Sequence, residues 1–516
     1  MRLKNFIGRN FCLILIVAFY FVTRLWGIIK VPASVYWDEA SIGYNAYSVL
    51  TTASDEWGET LPLHFRAFSE FKLPVYIYSV AISEFVFGLT PLAVRLPAVV
   101  YGFLVVVGLY ALILKLTQEK NIALIGAFFL TISPWTFIFT RTGYEAIAGL
   151  AFFIWGTYFL ASSARKPNLL LVSTLCFIAS FYSYNSFRIL APVILVFGMI
   201  YFLVKIIRQR NRKSFIIWII ALGIFMVSLL PLYKLYKFDS GLGRLATVGV
   251  EGKNTILAFG QNYMSHFSPK FLFISGDIIP RSQFPGNSQL FWLDTLFIFL
   301  GLVLILKKRK LSFWLILAAL LIAPIPASIT KESPHALRSI LMAPIFSIIT
   351  AFGVSYFLKL SGKYQRGFTL LILGIYIFLF GSYFYRFMNE YNQLSSDDWQ
   401  YPYSKIYSQY STVFPDYSTI YITDEYAQPY IFTLFYNKVN SRDFIAQKVL
   451  SPVADWGFST VKSFGKFQFI KKCAGDFVAN SLFFCPVGET LSGNIVKVGQ
   501  IENLSGKAVL NVYHYE

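Results

Sequence analysis

The chain has 516 residues, 56% of them hydrophobic and only 14% charged, with a mean hydropathy of +0.57. Soluble domains carry about 25% charged residues, so a water-soluble protein is excluded and an integral membrane protein with room for about a dozen spans is expected. The net charge of +19 would suit a nucleic-acid partner, but its distribution excludes that class as well.

The basic residues fall in short clusters between apolar runs: Arg2, Lys4 and Arg9; Lys115 and Lys120; Arg165 and Lys166; Lys205, Arg208, Arg210, Arg212 and Lys213; Lys307, Lys308, Arg309 and Lys310; Lys359, Lys363 and Arg366. These 19 basic residues have only Glu119 among them, whereas the rest of the chain balances 26 basic against 25 acidic residues. Nearly the whole excess lies on alternate loops. That is the positive-inside pattern, which fixes topology rather than a partner.

The start, Met1 to Asn10, is basic and leads into an apolar run with no small-residue cleavage site before Asp38, so it reads as an uncleaved first span with a cytoplasmic start. Eleven spans are expected: about 11–29, 93–116, 122–139, 146–163, 169–184, 189–207, 215–233, 290–306, 311–329, 338–358 and 368–387. Two outer loops are large, one between the first two spans (31–92) and one at 234–289. An odd number of spans places the C-terminus outside a plasma (inner) membrane.

The first outer loop organises the rest. From Tyr36 to Arg95 it holds seven acidic residues: Asp38, Glu39, Asp55, Glu56, Glu59, Glu70 and Glu84. Its aromatics suit short helices lying in the membrane interface. A carboxylate pair just past a spanning helix is well placed to act on a lipid headgroup. Beyond 389 the texture changes. Alternation at Ser418–Thr423 and at Ala508–Tyr513 reads as strands, and Gln428–Tyr436 as a helix. The expected organisation is a membrane domain over 1–388 and an extracytoplasmic α/β domain over 389–516. Cys12 and Cys176 lie in spans, where Cys behaves as a small apolar residue. Cys473 and Cys485 lie in the tail; outside the cell a disulfide between them is permitted, and two free thiols are the other reading.

Several motifs now add up. Trp37-Asp38-Glu39-Ala40-Ser41-Ile42-Gly43-Tyr44-Asn45, Asp55-Glu56-Trp57-Gly58, Phe71-Lys72-Leu73-Pro74 and Arg95-Leu96-Pro97 resemble the first outer loop of the family 39 glycosyltransferases. That group includes the protein O-mannosyltransferases, is similar to the lipid A aminoarabinose transferases, and belongs to the GT-C superfamily of polytopic enzymes. Pro134-Trp135 with Arg141 and Glu145, Ser268–Phe273 with Gly276-Asp277, and Pro334-His335-Ala336-Leu337-Arg338 extend the resemblance to about residue 390.

The resemblance implies a donor sugar on polyprenyl phosphate and a lipid, glycan or protein acceptor, with membrane lipids around both. The acceptor attacks the anomeric carbon and the lipid phosphate leaves. Asp38 matches the family's base, able to take the acceptor's proton as the bond forms. Glu39 would support it, and Glu145 would either join it or pair with Arg141 four residues earlier. Lys72 and Arg141 are candidate phosphate ligands, one a point charge and one a planar fork; Arg188 and Arg338 stand next, or anchor their helices at the headgroups. Asp55, Glu56, Asp277, Arg281 and His335 are expected at the site rim, and Arg95 as a structural partner of a loop acid. No metal ligand set is expected and no cofactor is required, although paired acids could hold a divalent cation through oxygen. A polytopic transporter or flippase of a lipid-linked substrate is the alternative. Against it, the middles of the spans are almost free of charge, and the candidate residues gather at the outer ends.

Overall fold

The computed structural model describes residues 2–68, 70–238, 249, 255–308, 310–453, 459–474, 477–489, 491 and 495–516. Arg309 of the basic clusters and most of 239–254 in the second large loop lie outside them. The chain is a polytopic helical protein with a tail sheet domain, as its apolar runs and its later alternation require.

All eleven expected apolar stretches are helical. Among the described residues six helices are long and apolar enough to cross a bilayer, seven with one bent pair counted as a span. In chain order the helices are α1 (Arg2–Leu25), α2 (Trp37–Thr52), α3 (Pro74–Phe87), α4 (Pro91–Thr117), α5 (Lys120–Ile132), α6 (Pro134–Phe137), α7 (Ala146–Ser163), α8 (Leu169–Phe181), α9 (Phe187–Gln209), α10 (Arg212–Ser228) and α11 (Leu230–Phe238). They continue with α12 (Thr255–Ser265), α13 (Asp294–Lys308), α14 (Leu311–Ile322), α15 (Ile325–Ser328), α16 (Met342–Leu360), α17 (Gln365–Ser395), α18 (Tyr401–Tyr410), α19 (Pro429–Asn437) and α20 (Ser441–Gln447). The bent pair is α5 with the stretch Pro134–Thr140, at 61°. Pro134 explains the break, because it lacks an N–H and forces Ser133 out of helical backbone.

By packing, the chain divides into two compact units. The first takes Met1–Trp26, Ala98–Asp239 and Val248–Phe387. Its helices α13 and α16 meet backbone to backbone: a Cβ on Gly301 would sit 2.1 Å from the Ile349 carbonyl oxygen, and one on Gly353 1.8 Å from that of Phe297. Small residues allow such an approach where lipid gives no hydrophobic drive to helix pairing.

The second unit joins Gly27–Pro97, the first loop, to Met388–Glu516, the tail. The loop supplies α2, α3 and a hairpin of β1 (Phe65–Ala67) and β2 (Glu70–Lys72), paired Phe65 to Lys72. The tail's strands are β3 (Thr419–Thr423), β4 (Val449–Leu450), β5 (Val461–Phe464), β6 (Phe467–Ile470), β7 (Ser481–Pro486), β8 (Ile495–Glu502) and β9 (Ala508–Tyr515). They form a mixed sheet in the order β4-β5-β6-β3-β7-β9-β8, with β3 parallel to both of its neighbours. Tyr421 stacks on Phe483 at 4.6 Å. Beside them Cys473 and Cys485 are joined by a disulfide, their Cα atoms 5.9 Å apart.

Candidate active site

Asp38 and Glu39 occupy the first turn of α2, where a helix dipole favours carboxylates. The Trp37 amide donates to Gln400 Oε1 at 2.7 Å, so the tail holds the end of this helix. From there the two acids part. Glu39 is fully buried and takes a two-pronged grip from Arg95, Nε to Oε1 and Nη2 to Oε2, each at 3.0 Å. The other Arg95 hydrogens go to the carbonyls of Ile28, Pro32 and Ser34. Asp38 keeps 24% of its side chain exposed and pairs with the buried Lys72 Nζ, which also lies 3.5 Å from Glu70 Oε1. Lys72 reaches it from the end of β2.

Asp55 and Glu56 are buried deeper in the same unit. Asp55 Oδ1 accepts from the amides of Trp57 and Glu59, both at 2.9 Å, which closes a turn. The Glu56 amide donates to Asn45 Oδ1 at 3.1 Å, and its carbonyl accepts from Lys448 Nζ at 3.3 Å. Arg66 and Lys448 both lie over the Trp57 ring, at 4.0 and 4.1 Å. Burial pushes the Glu56 carboxyl up to about 8, and the neighbouring Asp55 charge adds to the effect. Asn45, Arg66, Tyr430 and Lys448 thus shape the surroundings of motif residues. Contacts across such distances in sequence leave no local signal.

In the first unit Arg141 is fully buried and donates to the carbonyls of Thr23, Arg24 and Trp26, closing the end of α1. Glu145 immediately precedes α7 and is nearly buried. Arg188 is the second residue of α9. Arg338 donates to Thr330 Oγ1 at 2.8 Å and to Glu332 Oε2 at 3.1 Å.

Asp277 clips the second large loop to the segment that precedes α16. Its Oδ2 accepts from the Ala336 amide at 2.6 Å and lies 3.5 Å from His335 Nδ1. The His335 amide donates to His266 Nε2 at 3.2 Å. Burial raises the Asp277 carboxyl to about 6. The preceding Gly276 is required twice over: its φ is +65°, and any Cβ would meet the Gln283 side chain at 1.9 Å. That same Gln283 accepts from the Asp277 amide at 2.8 Å. Arg281 lies in a short turn, and its carbonyl accepts from the Tyr144 hydroxyl at 3.3 Å, one residue before Glu145. Among the described residues no three His, Cys, Asp or Glu side chains gather as metal ligands.

Comparison with known proteins now bears on this geometry. The sequence profile of a family described as dolichyl-phosphate-mannose-protein mannosyltransferase matches residues 72–233. No curated protein sequence matches the chain significantly. Among solved structures, ArnT from Cupriavidus metallidurans bound to undecaprenyl phosphate matches over 98% of both chains, with TM-score 0.55 and 10% identity. The apo form of the same protein matches over 85% of both chains, with TM-score 0.53 and 12% identity. The Archaeoglobus fulgidus oligosaccharyltransferase matches at TM-score 0.49 and 12% identity, over 82% of this chain; the chain spans 61% of that protein's length. The resemblance read from the sequence is therefore borne out at the level of fold: the chain shares the fold of ArnT, and residues 72–233 match the mannosyltransferase family profile.

Proposed function

We propose that this protein is a membrane glycosyltransferase that moves a sugar from a polyprenyl-phosphate carrier to a lipid, glycan or protein acceptor on the outer face of the membrane. The observation that carries the reading is the division of labour in the first turn of α2. Of two adjacent carboxylates, Glu39 is sealed against Arg95, and Asp38 keeps an exposed face. A general base must reach the acceptor's proton, so Asp38 is the base and Glu39 fixes the helix that carries it. In the second unit Lys72 is the candidate phosphate ligand beside Asp38. In the first, Glu145 is a candidate carboxylate, Arg141, Arg188 and Arg338 are candidate phosphate ligands, and Asp277, Arg281 and His335 are candidate rim residues. Residues 1–388 act as the catalytic membrane domain and 389–516 as the outer domain. Because a single phosphate leaves on a lipid the chemistry requires no metal, although paired acids could hold a divalent cation through oxygen.

The packing of the first loop with the tail in one unit supports an outer C-terminus, because segments of one compact unit share a side of the membrane. The N-terminus is then cytoplasmic.

The test is transfer from a defined polyprenyl-phosphate sugar by purified protein in detergent. Asp38→Asn keeps the shape but loses the base. It should bind donor and lose about 10²–10⁴-fold in turnover. Near wild-type turnover would move the base to Glu145.

A further inference from the structure

The cations at the helix ends differ in how fully they are engaged. Arg24 donates to Thr140 Oγ1 and to the Thr131 carbonyl, Arg141 to three carbonyls, and Arg338 to Thr330 and Glu332. Arg188 is different. Its Nε and Nη2 are buried, and among the described residues neither has a hydrogen-bond partner. Around its guanidinium are the Phe181 ring, 6.0 Å from the central carbon, and the hydroxyls of Tyr182 and Tyr236. Tyr182 donates its own proton to the Ser228 carbonyl. The Tyr236 hydroxyl lies beside the guanidinium, and Tyr236 is itself 39% exposed.

The neighbourhood is an exposed apolar surface. Ile189, Val227, Leu230 and Tyr233 are 36%, 64%, 62% and 60% exposed. The stretch Arg212–Lys237 is only 11% buried within the protein, and α9 33%. The opposite end of α9 carries the basic cluster Lys205–Lys213, so Arg188 stands at the outer headgroup level. A guanidinium with two buried, undirected nitrogens is unfavourable unless an anion meets them. A phosphate oxygen pair matches that planar fork.

We infer that Arg188 and Tyr236 form a binding site for the phosphate of an outer-leaflet lipid, whose chain lies along α9 and the α10–α11 stretch. The phosphate can belong to a polyprenyl carrier or to an ordinary phospholipid, and the experiment separates the two. Purified protein is titrated in neutral detergent with polyprenyl phosphate, with phosphatidylglycerol, and with polyprenol and diacylglycerol as phosphate-free controls; bound lipid is read by native mass spectrometry. Wild type should retain the phosphate lipids over their controls. Arg188→Gln should cut retention about tenfold or more, Arg188→Lys should restore part of it, and Tyr236→Phe should weaken it several-fold. A loss confined to polyprenyl phosphate assigns the site to the carrier, and a loss confined to phosphatidylglycerol assigns it to bulk lipid. If Arg188→Gln, monodisperse and with an unchanged unfolding midpoint, binds both phosphate lipids like wild type, the site does not exist. Should that variant fail to fold, wild-type retention by both Arg188→Lys and Tyr236→Phe overturns the inference equally.

Discussion

Glu39 and Arg95 face each other through two 3.0 Å hydrogen bonds, and neither side chain is exposed to solvent. The pair ties the start of α2 to the start of α4, and through the remaining Arg95 hydrogens to the turn at 28–34. Asp38 is thereby presented from a helix end held on three sides.

Arg95→Ala removes the guanidinium that two 3.0 Å hydrogen bonds hold against the buried Glu39 carboxylate. Breaking one partner of such a pair typically destabilises by about 3–5 kcal/mol. Equilibrium unfolding in mixed micelles should show a loss of that size. Arg95→Lys, which keeps the charge but not the fork, should fall between it and wild type. A stability equal to wild type in Arg95→Ala would mean the pair contributes nothing.

Lys72 touches Asp38 and Glu70 in the same hairpin corner. Lys72→Ala should slow sugar transfer about ten- to a hundredfold, the range for a lost charged hydrogen bond. Donor titration tells how. Weaker donor binding assigns Lys72 to the phosphate, whereas unchanged binding with a displaced pH profile assigns it to Asp38. Unaltered kinetics would remove Lys72 from the site.

Glu56 gives a pH signature with a definite sign. Its carboxyl is raised from 4.5 to about 8 in the folded chain, chiefly by burial. Between these values the unfolded chain ionises while the folded one stays protonated, so the folded state binds more protons and stability falls as pH rises. The decline begins near 4.5, levels off above about 8, and amounts to on the order of 3–5 kcal/mol. Glu56→Gln should remove this slope and stabilise the protein at neutral pH. A variant that keeps the wild-type pH dependence of its unfolding midpoint would rule Glu56 out as the cause.

Sidedness is open to direct labelling. In a background without Cys12 and Cys176, single cysteines at the exposed Thr51 and Lys497 should react with an impermeant maleimide from outside. Cysteines at Lys213 and Lys310 should react only after the membrane is opened. Labelling of Thr51 and Lys497 from opposite sides is incompatible with the unit that contains both.

The Cys473–Cys485 bond closes a twelve-residue separation beside Tyr421 and Phe483. In the chain-entropy view a loop of this size stabilises by about 3 kcal/mol. Cys485→Ser should therefore lower the unfolding midpoint of exported protein, and added reductant should lower wild type to match. Equal midpoints in all three cases would show that the bond is absent or idle.

The sequence made the helices legible because each apolar run is long, lightly charged and bounded by basic clusters or polar turns. The alternation at 418–423 and 508–513 announced β3 and β9, whereas the span expected over 122–139 runs straight through Pro134, where the helix breaks by 61°. The partnerships were not legible. That Arg95 needs an acid follows from its place at a span end, but seven acids in the loop satisfy that need equally on paper. That Arg141 closes α1 depends on carbonyls more than a hundred residues away, which have no side-chain signature. The link of α2 to Gln400 crosses 363 residues and is made by a glutamine with nothing to distinguish it locally.

The merged loop and tail also have a consequence in time. Gly27–Pro97 leaves the ribosome early, yet it packs with Met388–Glu516, and residues 98–387 must be made and inserted first. Tyr44 waits for Val439, Trp37 for Gln400 and Glu56 for Lys448. The turn of helix that presents Asp38 is therefore assembled last, although it is among the first segments synthesised. A nascent chain halted before the tail would carry the acids of its first loop without the scaffold that aims them. Completion of translation thus acts as a checkpoint on when the site can form.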